Sequence, residues 1–178
     1  MMVRKITEPE KGQVFALKIL KKAHIIARNQ VEHTKAERKI LENIDHPFLM
    51  KLHFAFQSST KLYIVMDYLT GGELFFHLKN ARRFSEDRAR FYAAQIALGL
   101  MHLHDHNIIY RDLKPENVLM DGSGFLRLTD FGLSKEFKKG DLATTFCGTP
   151  EVCSDNNIML ILSSPTIYPY NHGVVILF

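Results

Sequence analysis

The sequence predicts an α+β fold in which a strand-rich lobe is followed by a more helical lobe. Residues 1–69 carry several short apolar runs rich in strand-forming residues and one stretch of helical periodicity. After Gly71 and Gly72, which are expected to form a hinge, apolar residues recur with helical spacing. Further on, the turn residues 121–124 separate two short apolar runs, which indicates a hairpin.

The first lobe is expected to contain three strands and one helix. The run VFALKIL, from Val14 to Leu20, is typical of a strand. A helix is predicted from Asn29 to Ile44; it ends before the His46-Pro47 pair because a proline disfavours helical backbone in the residue before it. Two more strands are predicted over 50–57 and 62–67.

The second lobe is expected to begin with two helices. The stretch ELFFHLKNA, residues 73–81, has helical spacing of its apolar positions. A longer helix is predicted from Ser85, a good N-cap residue, to His104, with acids in its first turn. The hairpin follows, with strands expected at 118–120 and 125–129.

Charge and composition argue against several classes of protein. The net charge is +4, but basic residues alternate with acids along the predicted helix 29–44, which is typical of a solvated face and not of nucleic-acid binding. No run approaches the ~18 apolar residues that a membrane span needs, and no apolar signal run opens the chain. A cytoplasmic or nuclear protein is therefore expected. Cys147 and Cys153 lack zinc-site spacing and are interpreted as free thiols.

The sequence divides into three parts. Residues 1–69 are assigned to the first lobe with the hinge, and residues 70–151 to the second lobe. Residues 152–178 contain no Lys or Arg and a single acid, Asp155, whereas the other 18 of the 19 acids and all 23 basic residues lie upstream. This apolar segment is expected to be a divergent tail that does not belong to either lobe.

The loop YRDLKPENVL, residues 110–119, concentrates charged and amide side chains between apolar runs. If the predicted hairpin forms, Asn117 and Asp130 flank its open end, where neighbouring strands lie only about 4.8 Å apart. An amide oxygen and a carboxylate are hard ligands that suit Mg²⁺ when a nucleotide supplies phosphates. Asp112 would then face a hydroxyl nucleophile, and Lys114 would neutralise the charge that develops.

Asp112, Lys114 and Asn117, followed by Asp130-Phe131-Gly132, resemble the catalytic and metal-binding loops of the eukaryotic protein kinases. Tyr110, in place of the usual His, resembles the AGC group of these enzymes. The resemblance implies a bilobal protein-kinase-like fold, the cofactors ATP and Mg²⁺, and phosphoryl transfer to Ser or Thr of protein substrates. It also implies that Asp112, Lys114 and Asn117 are catalytic and that Asn117 and Asp130 hold the metal.

Upstream residues agree with this resemblance. FALK at 15–18 resembles the strand motif whose lysine, here Lys18, holds the α and β phosphates of ATP. Glu37 shares a helix face with Ile40, Leu41 and Ile44, so its carboxylate needs a partner. The family pattern supplies Lys18 as that partner.

The resemblance also implies how a nucleotide is held. Ala16 and Leu119 would sandwich the adenine, and Met66 would stand at the back of its pocket. The backbone of Asp67 and Leu69 would bond the edge of the base. Further residues match the stacked apolar side chains that join the lobes of an active kinase: Leu41, Leu52, Tyr110 and Phe131.

Within the AGC group, the stretches EHTKAERKIL, HPFLMKLHFAFQ and LTDFGLSKE resemble the ribosomal protein S-six kinases and their relatives. TTFCGTPE resembles the activation segment of that group, which makes Thr145 the candidate target of an upstream kinase. A phosphate on Thr145 would pair with Arg111. Glu73, which would also reach the ATP ribose, and Glu116 resemble acids that receive arginines, so the resemblance implies substrates that are basic around the target Ser or Thr.

The resemblance covers residues 3–151 and is expected to be incomplete at both ends. No glycine-rich loop G-x-G-x-x-G precedes Val3, and no A-P-E motif with later helices follows Glu151. A truncated, weakly active or inactive form is therefore expected. Apolar positions of the long helix, such as Phe91, Ile96 and Leu100, are expected to be uncovered, and each such side chain left in water forgoes about 1.5–3 kcal/mol.

Two alternatives remain open. A shortened, non-catalytic chain would act as a binding module that competes for kinase regulators, and nucleotide binding without phosphoryl transfer would distinguish it. The basic pI and the histidines at 102, 104 and 106 suggest a nucleic-acid or metal-binding protein. Alternate residues do not share a helix face, however, so these histidines are expected to be poor joint ligands.

Overall fold

A computed structural model describes residues 1–136 of the chain. Its helices are α1 (Lys22–Ala27), α2 (Val31–Asn43), α3 (Leu74–Ala81) and α4 (Glu86–Asp105), and residues Pro115–Asn117 form a 3₁₀ turn. Its strands are β1 (Met2–Arg4), β2 (Val14–Lys21), β3 (Leu52–Gln57), β4 (Lys61–Asp67), β5 (Gly72–Glu73), β6 (Ile108–Ile109), β7 (Val118–Met120), β8 (Leu126–Leu128) and β9 (Lys135–Glu136). The predicted α+β architecture with two lobes is confirmed.

The first lobe is a four-stranded antiparallel sheet in the order β1-β2-β4-β3, with α1 and α2 beside it. The three predicted strands are present. The strand predicted over 50–57 begins at Leu52, and a register irregularity between Leu52 and Phe54 interrupts its pairing with β4. Sequence reasoning missed β1, which has only three residues, and α1, which has six residues and buries none of them. Neither element is long enough or amphipathic enough to produce a periodic signal.

Helix α2 is shorter than the predicted span of 29–44. Asn29 has a φ of 53°, in the left-handed region, and Ile44 has extended backbone, so neither residue continues the helix. The helix buries one face, formed by Glu37, Ile40 and Leu41, as its apolar spacing predicts. A carboxylate is thereby placed on the face that packs into the protein.

The second lobe contains α3, α4, a three-stranded sheet in the order β5-β7-β8, and a small β6-β9 pair. Ser85 caps α4 as predicted, because its Oγ accepts a hydrogen bond from the Arg88 N–H at 3.4 Å. The expectation that Ile96 and Leu100 are uncovered is wrong: both are buried, since α4 packs this face against strand β8. Phe91 is 48% exposed, as expected. Within residues 1–136, no helix is both long and apolar enough to cross a membrane.

Strand β8 and the hairpin join the two lobes. The Leu128 N–H donates to the Phe48 carbonyl and the Met50 N–H donates to the Leu128 carbonyl, both at 2.9 Å. At the chain connection, the Gly71 N–H donates to the Met120 carbonyl at 2.9 Å, and a Cβ at Gly71 would lie 2.6 Å from the Asp121 carbonyl oxygen. Only glycine permits this approach. One apolar core runs through both lobes. It contains three of the four residues predicted to stack there, Leu41, Tyr110 and Phe131, and the fourth, Leu52, packs against it.

Candidate active site

The hairpin brings the ends of two loops together. Val118 pairs with Leu128, and the Thr129 N–H donates to the Asn117 carbonyl at 2.9 Å, so Asn117 and Asp130 lie at the open end of the hairpin as expected. The closed end is held by Asp121, whose Oδ1 accepts hydrogen bonds from the backbone of residues 123 and 125. This arrangement is a turn in which an aspartate binds its own downstream backbone.

Asp112 is buried in the loop that precedes the hairpin and is held by two side chains. Asn117 Nδ2 donates to the Asp112 carbonyl at 2.9 Å and to its Oδ2 at 2.8 Å. Lys114 Nζ lies 3.2 and 3.0 Å from the two carboxylate oxygens. Asp112 and Asn117 are only 6% and 7% exposed, so these bonds and the lysine charge offset the cost of burying a carboxylate.

The backbone on both sides of the site is strained. Arg111 has a φ of 65° and Asp130 a φ of 58°, in a region that side chains other than glycine rarely adopt. Neighbouring contacts hold the two segments against each other: Arg111 Nε donates to the Leu133 carbonyl at 2.7 Å, and Ser134 Oγ donates to the Tyr110 carbonyl at 3.1 Å. Such strain persists only where the surroundings impose it, and it clusters at functional sites.

Tyr110 anchors the loop from below. Its hydroxyl donates to the Thr129 carbonyl, and its ring meets Phe131 edge-on with 5.5 Å between centroids. Burial raises the pKa of the Tyr110 hydroxyl far above its ordinary value, and the charges of Asp112 and Asp130 add to this effect. The group therefore stays protonated and remains a donor.

The first lobe contributes an ion pair. Lys18 Nζ, on β2, donates to Glu37 Oε1 at 2.6 Å, and the same Nζ lies 4.0 Å from Asp130 Oδ1. Glu37 is 5% exposed, so the partner expected from its position on the apolar helix face is present. A cation of the first lobe and a carboxylate of the second lobe thus face each other across the gap between the lobes.

The residues implied for adenine binding lie on strands β2, β4 and β7 and on the connection after β4. Ala16 and Met66 are paired in register across β2 and β4, and Leu119 is paired with Glu73 across β7 and β5. Met66, Leu69 and Leu119 are partly buried against the core. The Asp67 N–H donates to the Lys51 carbonyl at 3.2 Å, so the implied contact of Asp67 with a base would use its carbonyl oxygen.

The predicted regulatory and substrate residues are placed only in part. Glu73 and Glu116 are exposed, and Arg111 borders the site. Thr145 lies outside the described residues, as do both cysteines and the segment 152–178. The roles assigned to these residues stay predictions.

Sequence reasoning overlooked the contact between two of the three histidines at the end of α4. His102 and His106 are four residues apart, and their ring centroids lie 4.4 Å from each other; His102 also stacks on His46 at 4.7 Å. Burial lowers the pKa of His46 and of His102, and in each case a neighbouring histidine adds to the shift. The spacing of four residues between His102 and His106 could have predicted their ring contact. Metal binding by this stack gains no support, because residues 1–136 hold no group of three or more His, Cys, Asp or Glu arranged for a metal ion.

Asn117 and Asp130 fit a divalent cation that is completed by phosphate oxygens. Asn117 Nδ2 makes both contacts with Asp112, which leaves the Oδ1 atom as the candidate ligand. Two hard protein oxygens are the usual share for Mg²⁺ in nucleotide sites. The donor set therefore agrees with the metal that the resemblance implies.

The fold and the site together define a protein-kinase-like chain. Residues 2–166 match the family model described as protein kinase domain, and the chain therefore belongs to this family. The match ends inside the segment 152–178, whose assignment as a separate tail stays a prediction.

Individual relatives agree with the predicted resemblance. The chain is 54% identical over 149 residues to Protein kinase 2 of Dictyostelium discoideum, covering 84% of this chain and 31% of that protein. It is 54% identical over 159 residues to Serine/threonine-protein kinase sgk-1 of Caenorhabditis elegans, with shares of 88% and 34%. It is 52% identical over 151 residues to Ribosomal protein S6 kinase alpha-1 of Mus musculus, with shares of 84% and 21%. The chain thus spans between 21% and 34% of the length of these relatives.

Proposed function

We propose that the chain carries the catalytic centre of a serine/threonine protein kinase that transfers the γ-phosphoryl group of ATP to a protein hydroxyl. One observation supports this function above the others. Asp112, held by Lys114 and Asn117, lies on the same loop-and-hairpin unit as Asp130, and Asp130 faces the Lys18–Glu37 pair of the other lobe. In this proposal Asp112 is the general base, Lys18 and Lys114 are the cations, and Asn117 and Asp130 supply two oxygen ligands.

In the proposed reaction, Asp112 accepts the proton of the substrate hydroxyl. The hydroxyl oxygen forms a bond to the γ-phosphorus while the bond between that phosphorus and the β–γ bridging oxygen breaks, and ADP leaves. Because Asp112 is a buried carboxylate fixed by Asn117 and Lys114, its position is set before substrate arrives. Positioning of this kind supplies much of the rate in phosphoryl transfer.

In the proposal, three positive groups stabilise the negative charge of the phosphates. Lys114 lies within hydrogen-bond distance of Asp112 and would stabilise the transferred phosphoryl group. Lys18, fixed by Glu37, would hold the α and β phosphates. Mg²⁺ held by Asn117 and Asp130 would neutralise charge on the phosphates.

Substrate class and regulation are part of the proposal. Glu73 and Glu116 are exposed acids near the site, and they support substrates with arginine or lysine around the target Ser or Thr. Thr145 is the proposed target of an upstream kinase, with Arg111 as the partner of its phosphate. A cytoplasmic or nuclear location is also part of the proposal.

Phosphoryl transfer to a basic peptide from γ-labelled ATP tests the proposal. Asp112→Asn keeps the shape of the side chain but removes the base, and it should lower kcat by about 10²–10⁴-fold. Asp87→Asn, at an exposed position of α4, is the matched control and should leave the rate unchanged.

Three outcomes can be told apart. Transfer that is lost in Asp112→Asn and kept in Asp87→Asn supports the proposal. ATP-dependent thermal stabilisation without transfer supports the non-catalytic binding module. A chain that neither transfers phosphate nor binds ATP contradicts the proposed function.

A further inference from the structure

The carboxylate of Asp67 is bound by side chains from two different parts of the molecule. Its Oδ1 accepts from Nε2 of His53 at 2.7 Å, and its Oδ2 accepts from Nη1 of Arg127 at 2.6 Å. His53 lies on β3 in the first lobe, whereas Arg127 lies on β8, 60 residues further along the chain, in the hairpin of the second lobe. Both carboxylate oxygens are therefore engaged, one toward each lobe.

These three side chains are largely shielded from solvent. The side chains of Asp67, His53 and Arg127 are 20%, 22% and 25% exposed, whereas in the ion pair of Arg90 with Glu86 on α4 they are 67% and 88% exposed. Charge-assisted hydrogen bonds are stronger where water screens them less. The Asp67 contacts therefore differ in kind from the exposed pairs.

The position of Arg127 depends on Asp67. In the described part of the chain, the buried Nε of Arg127 has no hydrogen-bond partner, and the guanidinium bonds through Nη1 to Asp67. The next residue, Leu128, is bonded through its backbone to Phe48 and Met50 of the first lobe. Strand β8 is thus attached to the first lobe at two adjacent residues, once by backbone and once by side chain.

Asp67 is also the last residue of β4, where the chain leaves the first lobe. The connecting segment, residues 68–71, follows it and leads to Gly72 of β5. A contact that fixes the Asp67 side chain restricts the backbone that starts this segment. The same backbone is the one implied to bond the edge of adenine.

We propose that His53, Asp67 and Arg127 form an interlobe clamp that positions the connecting segment and thereby sharpens recognition of adenine. The three residues are positioning residues, since none of them acts on the phosphate. Loosening the clamp should weaken the contact made by the Asp67 carbonyl and leave the phosphate contacts of Lys18 intact. The part concerning adenine rests on the proposed function; the part concerning the connecting segment does not.

Hydrogen exchange of backbone amides tests the clamp without any nucleotide. Arg127→Gln removes the charge and the bond to Asp67, and it should speed exchange of the amides at 67–72 by about three- to tenfold. Arg127→Lys should restore slow exchange, because a single N–H donor makes the contact in the structure. The control Arg90→Gln removes an exposed ion pair and should change nothing in this segment.

Nucleotide affinity tests the consequence for recognition. In Arg127→Gln the full chain should bind ATP with Mg²⁺ about three- to tenfold more weakly. Its affinity for GTP should stay unchanged, because the 6-oxo group of guanine cannot donate to the Asp67 carbonyl. The ratio of ATP to GTP affinity should therefore fall in Arg127→Gln and recover in Arg127→Lys.

The outcomes separate the clamp from the proposed function. Unchanged exchange at 67–72 in a folded Arg127→Gln variant overturns the clamp. Faster exchange with an unchanged ATP to GTP ratio overturns its role in recognition. If Arg127→Gln does not fold, Asp67→Asn takes its place as the variant that weakens the clamp, and Arg127→Lys remains the variant that preserves it. A wild-type chain that binds no ATP counts against the proposed function, and the exchange data still decide whether the clamp exists.

Discussion

Two clusters of polar side chains are held in opposite ways. Around Asp112, Asn117 and Lys114 bind the carboxylate through hydrogen bonds between unlike groups. In the stack of His46, His102 and His106, like rings lie face to face or tilted, and Nε2 of His102 has no hydrogen-bond partner among residues 1–136. The charges of the Asp112 cluster stabilise it. Protonation of a histidine in the stack, by contrast, should destabilise the folded chain.

Removing Lys18 from its ion pair with Glu37 should cost more stability than the other changes considered below. Lys18→Met leaves Glu37 buried without its cation and should lower the free energy of unfolding by about 2–3 kcal/mol, less than for a fully buried pair because Lys18 is partly exposed. Urea unfolding measures the change. The control Lys35→Met, in the exposed pair with Glu32, should cost less than about 0.5 kcal/mol.

A double variant sharpens this prediction. Replacing Glu37 by Met in the Lys18→Met background removes the stranded carboxylate and should recover most of the lost stability. ATP binding should not recover, because the cation proposed for the phosphates is still absent. Stability that fails to return would show that the pair contributes through something other than its charges.

The next largest effect concerns the amide that holds Asp112. Asn117→Ala removes both hydrogen bonds to Asp112 and should lower the free energy of unfolding by about 1–3 kcal/mol. Asn43→Ala is the control, since that side chain makes one exposed hydrogen bond to the Lys39 carbonyl. Equal losses in the two variants would mean that the buried cluster is no more stabilising than a surface contact.

The smallest expected effect is a pH dependence of the histidine stack. Burial lowers the pKa of His46 and of His102 below about 6.5, and the charges of Asp45 and Asp105 only partly offset this for His102. The unfolded chain therefore takes up these protons at higher pH than the folded chain does. The contribution of these neutral histidines to the free energy of unfolding should be fully present above a pH of about 6.5 and should decrease as the pH falls below that value.

His102→Phe tests this assignment because it keeps an aromatic ring against His46. The variant should lose less stability than the wild type between pH 7.5 and pH 5.5, as measured by urea unfolding at each pH. His24→Phe, at an exposed position, is the control and should keep the wild-type slope. An identical slope in all three proteins would contradict the role of the stack.

Long elements with clear periodicity could be predicted from the sequence. Helix α4, strands β2 and β4, and the hairpin of β7 and β8 lie within a few residues of their expected bounds, because each has apolar spacing or turn residues of its own. The position of Glu37 on an apolar face predicts only that its carboxylate needs a cation, and the family resemblance identified that cation as Lys18.

Other features could not be predicted because they depend on long-range packing. The bonds of Asp67 to His53 and Arg127 join residues 14 and 60 positions apart, and no local pattern marks them. The burial of Ile96 and Leu100 depends on the hairpin that covers them. The positive φ of Arg111 is imposed by its neighbours, since arginine has no intrinsic preference for it.

The proposed function depends on one divalent cation that Asn117 and Asp130 hold together with a nucleotide. Paramagnetic broadening by Mn²⁺ with ATP, observed on the side-chain amide signals of ¹⁵N-asparagine-labelled chain, tests it most directly. Strong broadening of the Asn117 amide is expected, and it should be abolished in Asp130→Asn. Broadening that spares Asn117, or that persists unchanged in Asp130→Asn, would contradict it.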